Sequence, residues 1–293
     1  MKILVLSIGG ARGSYHAGII EALERQGWNP DVIVGTSTGG LSALGAAARG
    51  SRGLMKIWTG ISGREDLFTL ALPLDGLWNP APLYRLVDEV AADFRGNGHV
   101  MEGGSPRLII PFTDQCADEP VIHDTAGSFS EELADAVKAS ATVPVLMPAL
   151  DGRYVDGGLW APCFVDAARQ CFSETEHNEI VVVCARARQQ VKLERLPFPA
   201  IVWNGVRSIQ KLMWSQAWDE IDELLENRPA MPNTSVRVFA PPRSWDAGDF
   251  DFSHSAIMEG IQLGLSDGFM NRIQTVDTWR NGDDQSEIER ASL

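Results

Sequence analysis

Val32-Ile33-Val34-Gly35-Thr36-Ser37-Thr38-Gly39-Gly40 carries an apolar run into a turn of small residues. Asp31 to Val34 has the length and β-branched content of a buried strand. Leu41 to Arg49 continues as a helix rich in small residues and stops at Gly50. A serine on such a strand-to-helix turn, between two glycines, is the G-x-S-x-G nucleophile elbow. The requirement is steric, because a strained turn leaves no room for side chains on either flank. Gly35 and Gly39 give that room, and Gly40 and Ser42 keep the next turn thin. The helix N-terminus beneath Ser37 favours developing negative charge. Taken alone, the same five residues also fit a glycine-rich turn without chemistry.

The N-terminal segment repeats the pattern. Ile3 to Leu6 reads as a buried strand, Gly9-Gly10-Ala11-Arg12-Gly13 as a turn, and Gly13 to Gly27 as a helix with Ala17, Ile20, Leu23 and Glu24 about one turn apart. Strand, glycine turn and helix, twice within fifty residues, predict an α/β fold with a largely parallel sheet. Both turns leave the C-terminal ends of their strands, the edge where sites form in such sheets. Acyl transfer needs backbone N–H groups aimed at an oxyanion, and a glycine run lets the backbone come close. The competing reading is a dinucleotide fingerprint. That pattern needs G-x-G-x-x-G and an acidic residue ending the second strand. Here its first position is Ile8, and Asp31 precedes the second strand.

Further along, residues 60–106 read as helices joined by loops. Arg107 to Phe112 reads as a strand with Pro120 to His123 as its possible partner, and Glu131 to Ala139 as a helix leading into Ser140-Ala141-Thr142-Val143-Pro144. Arg153 to Val155 is a short strand ending in Asp156-Gly157-Gly158, which alone would be an ordinary turn. Strands at Glu179 to Cys184 and Ser235 to Phe239, one or two helices over Pro199 to Leu225, and a helix from Ser253 to Met270 complete the reading. Neither a repeat nor a low-complexity linker interrupts it. One domain over 1–280 and a fraying polar tail over 281–293 are expected.

A chain of 293 residues buries a full core without disulfides or metals. The net charge of −14 argues against nucleic acid as partner and against electrostatic docking on anionic lipid, but not against hydrophobic contact with a membrane. Cys116, Cys163, Cys171 and Cys184 form no C-x-x-C pair and read as reduced, mostly buried thiols. The N-terminus has no signal-peptide pattern, and no apolar run reaches the length of about 18 residues that spans a bilayer. A soluble, intracellular protein, at most peripheral to a membrane, is expected. His16, His99, His123 and His177 show no ligand or catalytic spacing, and no acidic cluster has metal spacing. Trp203, Trp214 and Trp218 lie in a helical stretch that reads as a core helix, with a lipid-facing cap as the alternative.

Together the motifs resemble the patatin-like phospholipase family. That family combines a glycine-rich oxyanion loop with Arg or Lys near its end, a G-x-S-x-G elbow and a downstream D-G-G or D-G-A. The block Ala139-Ser140-Ala141-Thr142-Val143-Pro144 resembles its A-S-x-x-x-P, and Phe112-Thr113-Asp114 is also similar to its members. Ile8 departs from it, where another glycine is usual. The resemblance implies a three-layer α/β/α fold and a lipid acyl hydrolase of phospholipase A type, acting on lipid or other acyl esters at a membrane or micelle surface. It implies Ser37 as nucleophile and Asp156 as base, Gly9, Gly10, Ala11, Arg12 and Gly13 as the oxyanion loop, Gly35 and Gly39 in the elbow, and Gly157 and Gly158 in the aspartate motif. It implies no metal and no cofactor. The alternatives are an esterase for small soluble esters with a Ser37–Asp156–His254 triad, and a non-catalytic binding protein of the same fold. Oligomeric state stays open.

Overall fold

Strand β1 (Lys2–Leu6) and strand β2 (Val32–Gly35) pair in parallel, with Leu6 opposite Gly35. The two glycine turns therefore leave the sheet side by side at one edge. In the computed structural model, residues 1–71, 76–97, 105–126, 132–173, 175–188, 200–227, 231, 233–242, 244–245 and 247–273 are described. The first turn winds through a short 3-10 segment into α1 (Ser14–Arg25), and the second opens directly into α2 (Thr38–Thr59). Gly50, with φ 68° and ψ 175°, breaks α2 into two arms. A Cβ on Gly45 would sit 3.9 Å from that of Leu54. Nine residues of straight helix would hold them about 13 Å apart, so the second arm folds back on the first. The expected stop at Gly50 is this corner.

The hairpin β3 (Thr69–Leu70) and β4 (Trp78–Asn79) precedes α3 (Ala81–Asn97). Next come β5 (Arg107–Asp114), β6 (Glu119–Asp124), α4 (Leu133–Ser140), β7 (Tyr154–Asp156) and α5 (Val165–Arg169). The remaining elements are β8 (Asn178–Val183), α6 (Ala200–Glu226), β9 (Thr234–Phe239) and α7 (His254–Phe269). The sheet order is β6-β5-β2-β1-β8-β9, with β7 also on β5. β5, β2, β1, β8 and β9 run parallel, and β6 and β7 are antiparallel to β5.

Alternation along each strand builds the layers. Leu4, Leu6, Ile33, Leu108, Ile110, Val181 and Val183 pack with α1, α2, α3, α4 and α7. Their neighbours Ile3, Val5, Val32, Val34, Ile109, Ile180 and Val182 pack with α5 and α6 on the other face. The fold is thus three-layered, α/β/α, with a mostly parallel central sheet, as expected.

Local differences have local causes. The β3–β4 hairpin goes unanticipated because two-residue strands show no alternation. α5 is barely more than one turn and is entered through Phe164 in the left-handed region, φ 49°. The one or two helices expected over Pro199 to Leu225 are a single helix from Ala200 to Glu226, with Pro199 outside the described residues. The polar tail over 281–293 and His99 lie outside the described residues, as does the side chain of Trp203.

Sheet topology brings the motifs together. β6 lines β5 from Ile109 to Asp114, which occupies one of its edges. β2 takes the other edge only as far as Ile109, and β7 takes it over from Phe112 to Asp114. Continuing the β2 register would bring Ser37 opposite Phe112, the residue that Asp156 faces. The end of β7 is therefore delivered to the end of β2.

Candidate active site

Ser37 has φ 56° and ψ −122°. This backbone is unusual for a residue with a side chain and is held only by its surroundings. A Cβ on Gly35 would lie 2.4 Å from Gly39 O, and one on Gly39 would lie 2.2 Å from Leu6 O. A side chain at Gly35 would force the elbow open, and one at Gly39 would push it off β1. The Ser37 N–H donates to Ser140 Oγ at 2.9 Å, and the Gly40 and Leu41 amides close the first turn of α2 on Ser37 O.

Asp156 is 1% exposed and Ser37 6%. The Ser37 hydroxyl lies beside the Asp156 carboxylate and favours its ionised form. Asp156 Oδ1 accepts the Gly158 N–H at 2.8 Å, so the second glycine of the aspartate motif orients it. Burial pushes the Asp156 carboxyl up to about 6, against the lowering effect of Ser37 and of the Gly158 amide. Such a group is ionised at neutral pH yet still basic enough to accept a proton.

The supporting shell includes the blocks that the family resemblance marked without giving them a role. Ser140 holds the Ser37 amide. Thr142 O accepts the Asp156 N–H at 2.9 Å, so one stretch of chain grips both residues. The Thr113 hydroxyl donates to Asp156 O at 2.9 Å. Asp114 accepts from Arg153 Nε at 2.7 Å, which fastens the start of β7 to β5 and draws the Asp114 carboxyl down to about 2.

Within the loop after β1, Gly10 lines the same cavity as Ser37 and has φ 55°. The Ala11 N–H donates to Asp249 O at 2.7 Å, and the Arg12 N–H to Gly9 O at 3.1 Å. The Arg12 side chain is buried against Asp249, Nε 3.0 Å from Oδ1. Gly13 packs beneath the elbow, where a Cβ would lie 2.3 Å from Thr38 Oγ1. Ile8 donates its amide to Pro162 O at 3.1 Å.

From Ser37 an apolar cavity runs between α2 and α3. Leu41, Leu44, Leu54, Ile57 and Trp58 line it from α2, Leu83, Val87 and Val90 from α3, and Val143 and Met147 from the loop after α4. Tyr84, near the start of α3, bonds Thr142 beside Asp156 at 2.6 Å. Asp93, near its far end, meets Arg49 at the end of the first arm of α2. The two helices thus recede together from the serine, and Leu44 lies about 10 Å along α2 from it.

His254 is exposed at the start of α7. Among the described residues, the carboxylate of Asp156 is bonded by the Gly158 amide, with the Ser37 hydroxyl beside it. His16 is fully buried, and desolvation drives its pKa down to about 3, so it stays neutral. His123 is shifted down by burial, and the exposed His177 bonds Ser235. Trp214 and Trp218 are core residues of α6. All four cysteines are free, with Cys163, Cys171 and Cys184 buried and Cys116 exposed. Among the described residues, no helix is long and apolar enough to cross a membrane.

No curated protein matches the chain. Among solved structures, VipD from Legionella pneumophila is similar at 14% identity and a TM-score of 0.38, over 90% of this chain and 67% of that one. The type III effector protein ExoU is similar at 14% identity and a TM-score of 0.42, over 92% of this chain and 51% of that one. Full-length ExoU of Pseudomonas aeruginosa in complex with SpcU gives 14% identity and a TM-score of 0.37, over 90% and 52%. The chain thus spans about two thirds of VipD and about half of ExoU. The family model for patatin-like phospholipase matches residues 4–169, a stretch that contains the glycine loop, the elbow and the aspartate motif and makes up more than half of the chain. The chain belongs to the patatin-like phospholipase family, a family of lipid acyl hydrolases.

Proposed function

We propose that the protein releases fatty acyl chains from lipid esters through an acyl-enzyme on Ser37, with Asp156 as the base. The observation that carries this reading is the buried Ser37 beside the desolvated Asp156 carboxylate at the head of an apolar cavity. The hydroxyl proton passes to the Asp156 carboxylate as Oγ attacks the acyl carbonyl carbon. The carbonyl oxygen becomes the oxyanion. The Ala11 and Arg12 amides are engaged elsewhere and the Ser37 amide is held by Ser140, so the donors assigned here are Gly10, with Gly9 beside it, and Thr38, the residue after the nucleophile. Asp156 returns the proton to the leaving alkoxide, and the alcohol departs. Water then enters, gives its proton to Asp156 and attacks the ester. Collapse of the second intermediate frees the acid and re-protonates Ser37. The acyl chain occupies the cavity between α2 and α3. This largely apolar lining favours a fatty acyl group over a small polar one.

Fatty acid release from mixed phospholipid micelles tests the reading, with wild type, Ser37→Ala and Asp156→Asn compared. Release by wild type and background rates in both variants are expected. Labelling of Ser37 by a fluorophosphonate without lipid turnover would retain the nucleophile and remove the substrate class. Absence of both would remove the enzymatic reading. The negative surface charge adds that phosphatidylcholine should be turned over faster than phosphatidylglycerol.

A further inference from the structure

The loop Gly9–Gly13 is clamped from outside the stretch that the family model matches, and the clamp converges on one residue. Asp249 is 7% exposed. Its backbone oxygen accepts the Ala11 N–H at 2.7 Å. Its Oδ1 meets Arg12 Nε at 3.0 Å, and its Oδ2 accepts from Gln210 Nε2 at 2.9 Å and Trp214 Nε1 at 3.1 Å. Arg186 Nη1 lies 3.7 Å from the same Oδ2. The guanidinium of Arg186 stacks over Trp214, and that of Arg12 over Trp245. Arg186, Gln210, Trp214, Trp245 and Asp249 all lie beyond residue 169, where the family match ends.

We infer that Asp249 is the positioning residue of the oxyanion loop: its backbone and carboxylate together set the orientation of Gly10. Main chain and side chain of Asp249 hold two consecutive residues, Ala11 and Arg12, immediately after Gly10. Gly10 itself passes so close that a Cβ there would lie 2.1 Å from Asp249 O, and its φ is 55°. With the next two residues fixed, the peptide bonds flanking Gly10 cannot rotate independently. An amide aimed at an oxyanion gains its effect only when preorganised, and a displacement on the order of 1 Å costs about 10²-fold in rate. Asp249 in turn is fixed by α6, through Gln210 and Trp214, and by the chain leaving β8, through Arg186. Residues beyond 169 thereby complete a site whose reacting groups all lie within the stretch that the family model matches. This inference rests on the hydrolase reading given above.

Asp249→Asn keeps the backbone oxygen and side-chain shape but removes the charge that Arg12 binds. Kinetics on a soluble p-nitrophenyl ester, at a temperature well below the melting point of each variant, form the test. The expected result is a fall in kcat of about 10²-fold with KM within about twofold, because a transition-state contact is lost. Trp214→Phe and Gln210→Leu each remove one donor to Oδ2 without changing charge, and each should lower kcat several-fold. They decide the matter if Asp249→Asn fails to fold. Arg188→Met breaks the Arg188–Asp222 ion pair elsewhere on α6 and serves as the control expected to keep wild-type kcat. A wild-type kcat in Trp214→Phe and Gln210→Leu, or in a folded Asp249→Asn, would overturn the inference. A wild type that hydrolyses no ester and takes no fluorophosphonate would instead sink the underlying hydrolase reading.

Discussion

Asp156→Asn should stabilise the folded protein at neutral pH while abolishing turnover. Burial raises the Asp156 carboxyl from 3.8 to about 6. Between these values the native state holds a proton that the unfolded chain has released. The native state therefore binds more protons, and wild-type stability falls as pH rises through that window. The full shift of about two pKa units corresponds to about 3 kcal/mol, all of it lost once the pH is above about 6. Asparagine cannot ionise, so the variant escapes this term while its side-chain oxygen can still accept the Gly158 amide. Urea melts of both proteins from about pH 4 to about pH 8 should show the variant gaining some 2 to 3 kcal/mol on wild type across the series. In thermal melts that is roughly 2–4 °C per kcal/mol. Taking the difference between two proteins cancels every other titrating group, including Glu220, whose carboxyl burial raises to about 7. A difference that does not change with pH would refute the claim that Asp156 is a desolvated base. A change of opposite sign would require an unrecognised cation beside it.

Three further outcomes follow from the same geometry. For a soluble ester, kcat/KM should rise about tenfold per pH unit and level off above about 6, the value to which burial raises Asp156. An acid limb near the ordinary carboxylate value would contradict that environment. Gly39→Ala puts a methyl 2.2 Å from Leu6 O, so it should cost about 3 kcal/mol or more in urea melts and abolish fluorophosphonate labelling; a folded, labelled variant would show that the elbow is not so tight. Val90→Trp should fill the deep part of the cavity, lowering kcat/KM for a palmitoyl ester about tenfold relative to a butyryl ester. Equal losses on both esters would mean that the acyl chain does not lie between α2 and α3.

Much of the central sheet was legible because its signals are local. Ile3 to Leu6, Val32 to Val34 and the strand beginning near Glu179 are short apolar runs bounded by turn residues, and burial on both faces demands that composition. The elbow was legible because close backbone approach at Gly35 and Gly39 excludes other residues there. The β3–β4 hairpin and α5 were not, since two residues of strand or one turn of helix leave no period to detect. Trp214 and Trp218 posed a different problem. Periodicity places an aromatic on an apolar face but does not say whether protein or lipid covers that face. Here the covering group is identifiable, because Trp214 donates its indole N–H to Asp249 within the core.

The residues hardest to foresee share a property, which is that they act through contacts distant in sequence. A strained serine such as Ser37 persists only while its surroundings over-determine it, and those surroundings come from far along the chain. Ser140, which holds its amide, is separated from it by 103 positions. Thr142, which holds the amide of Asp156, would be an ordinary helix-terminal residue if read alone. Asp249 sits among prolines, aspartates and glycines in a segment that reads as plain loop, yet its carboxylate meets Arg12 in the core. A buried arginine requires such a partner. Its position just after Gly10, which lines the same cavity as Ser37, meant that some distant carboxylate had to reach this loop, although the sequence alone did not say which of its many acids would do so.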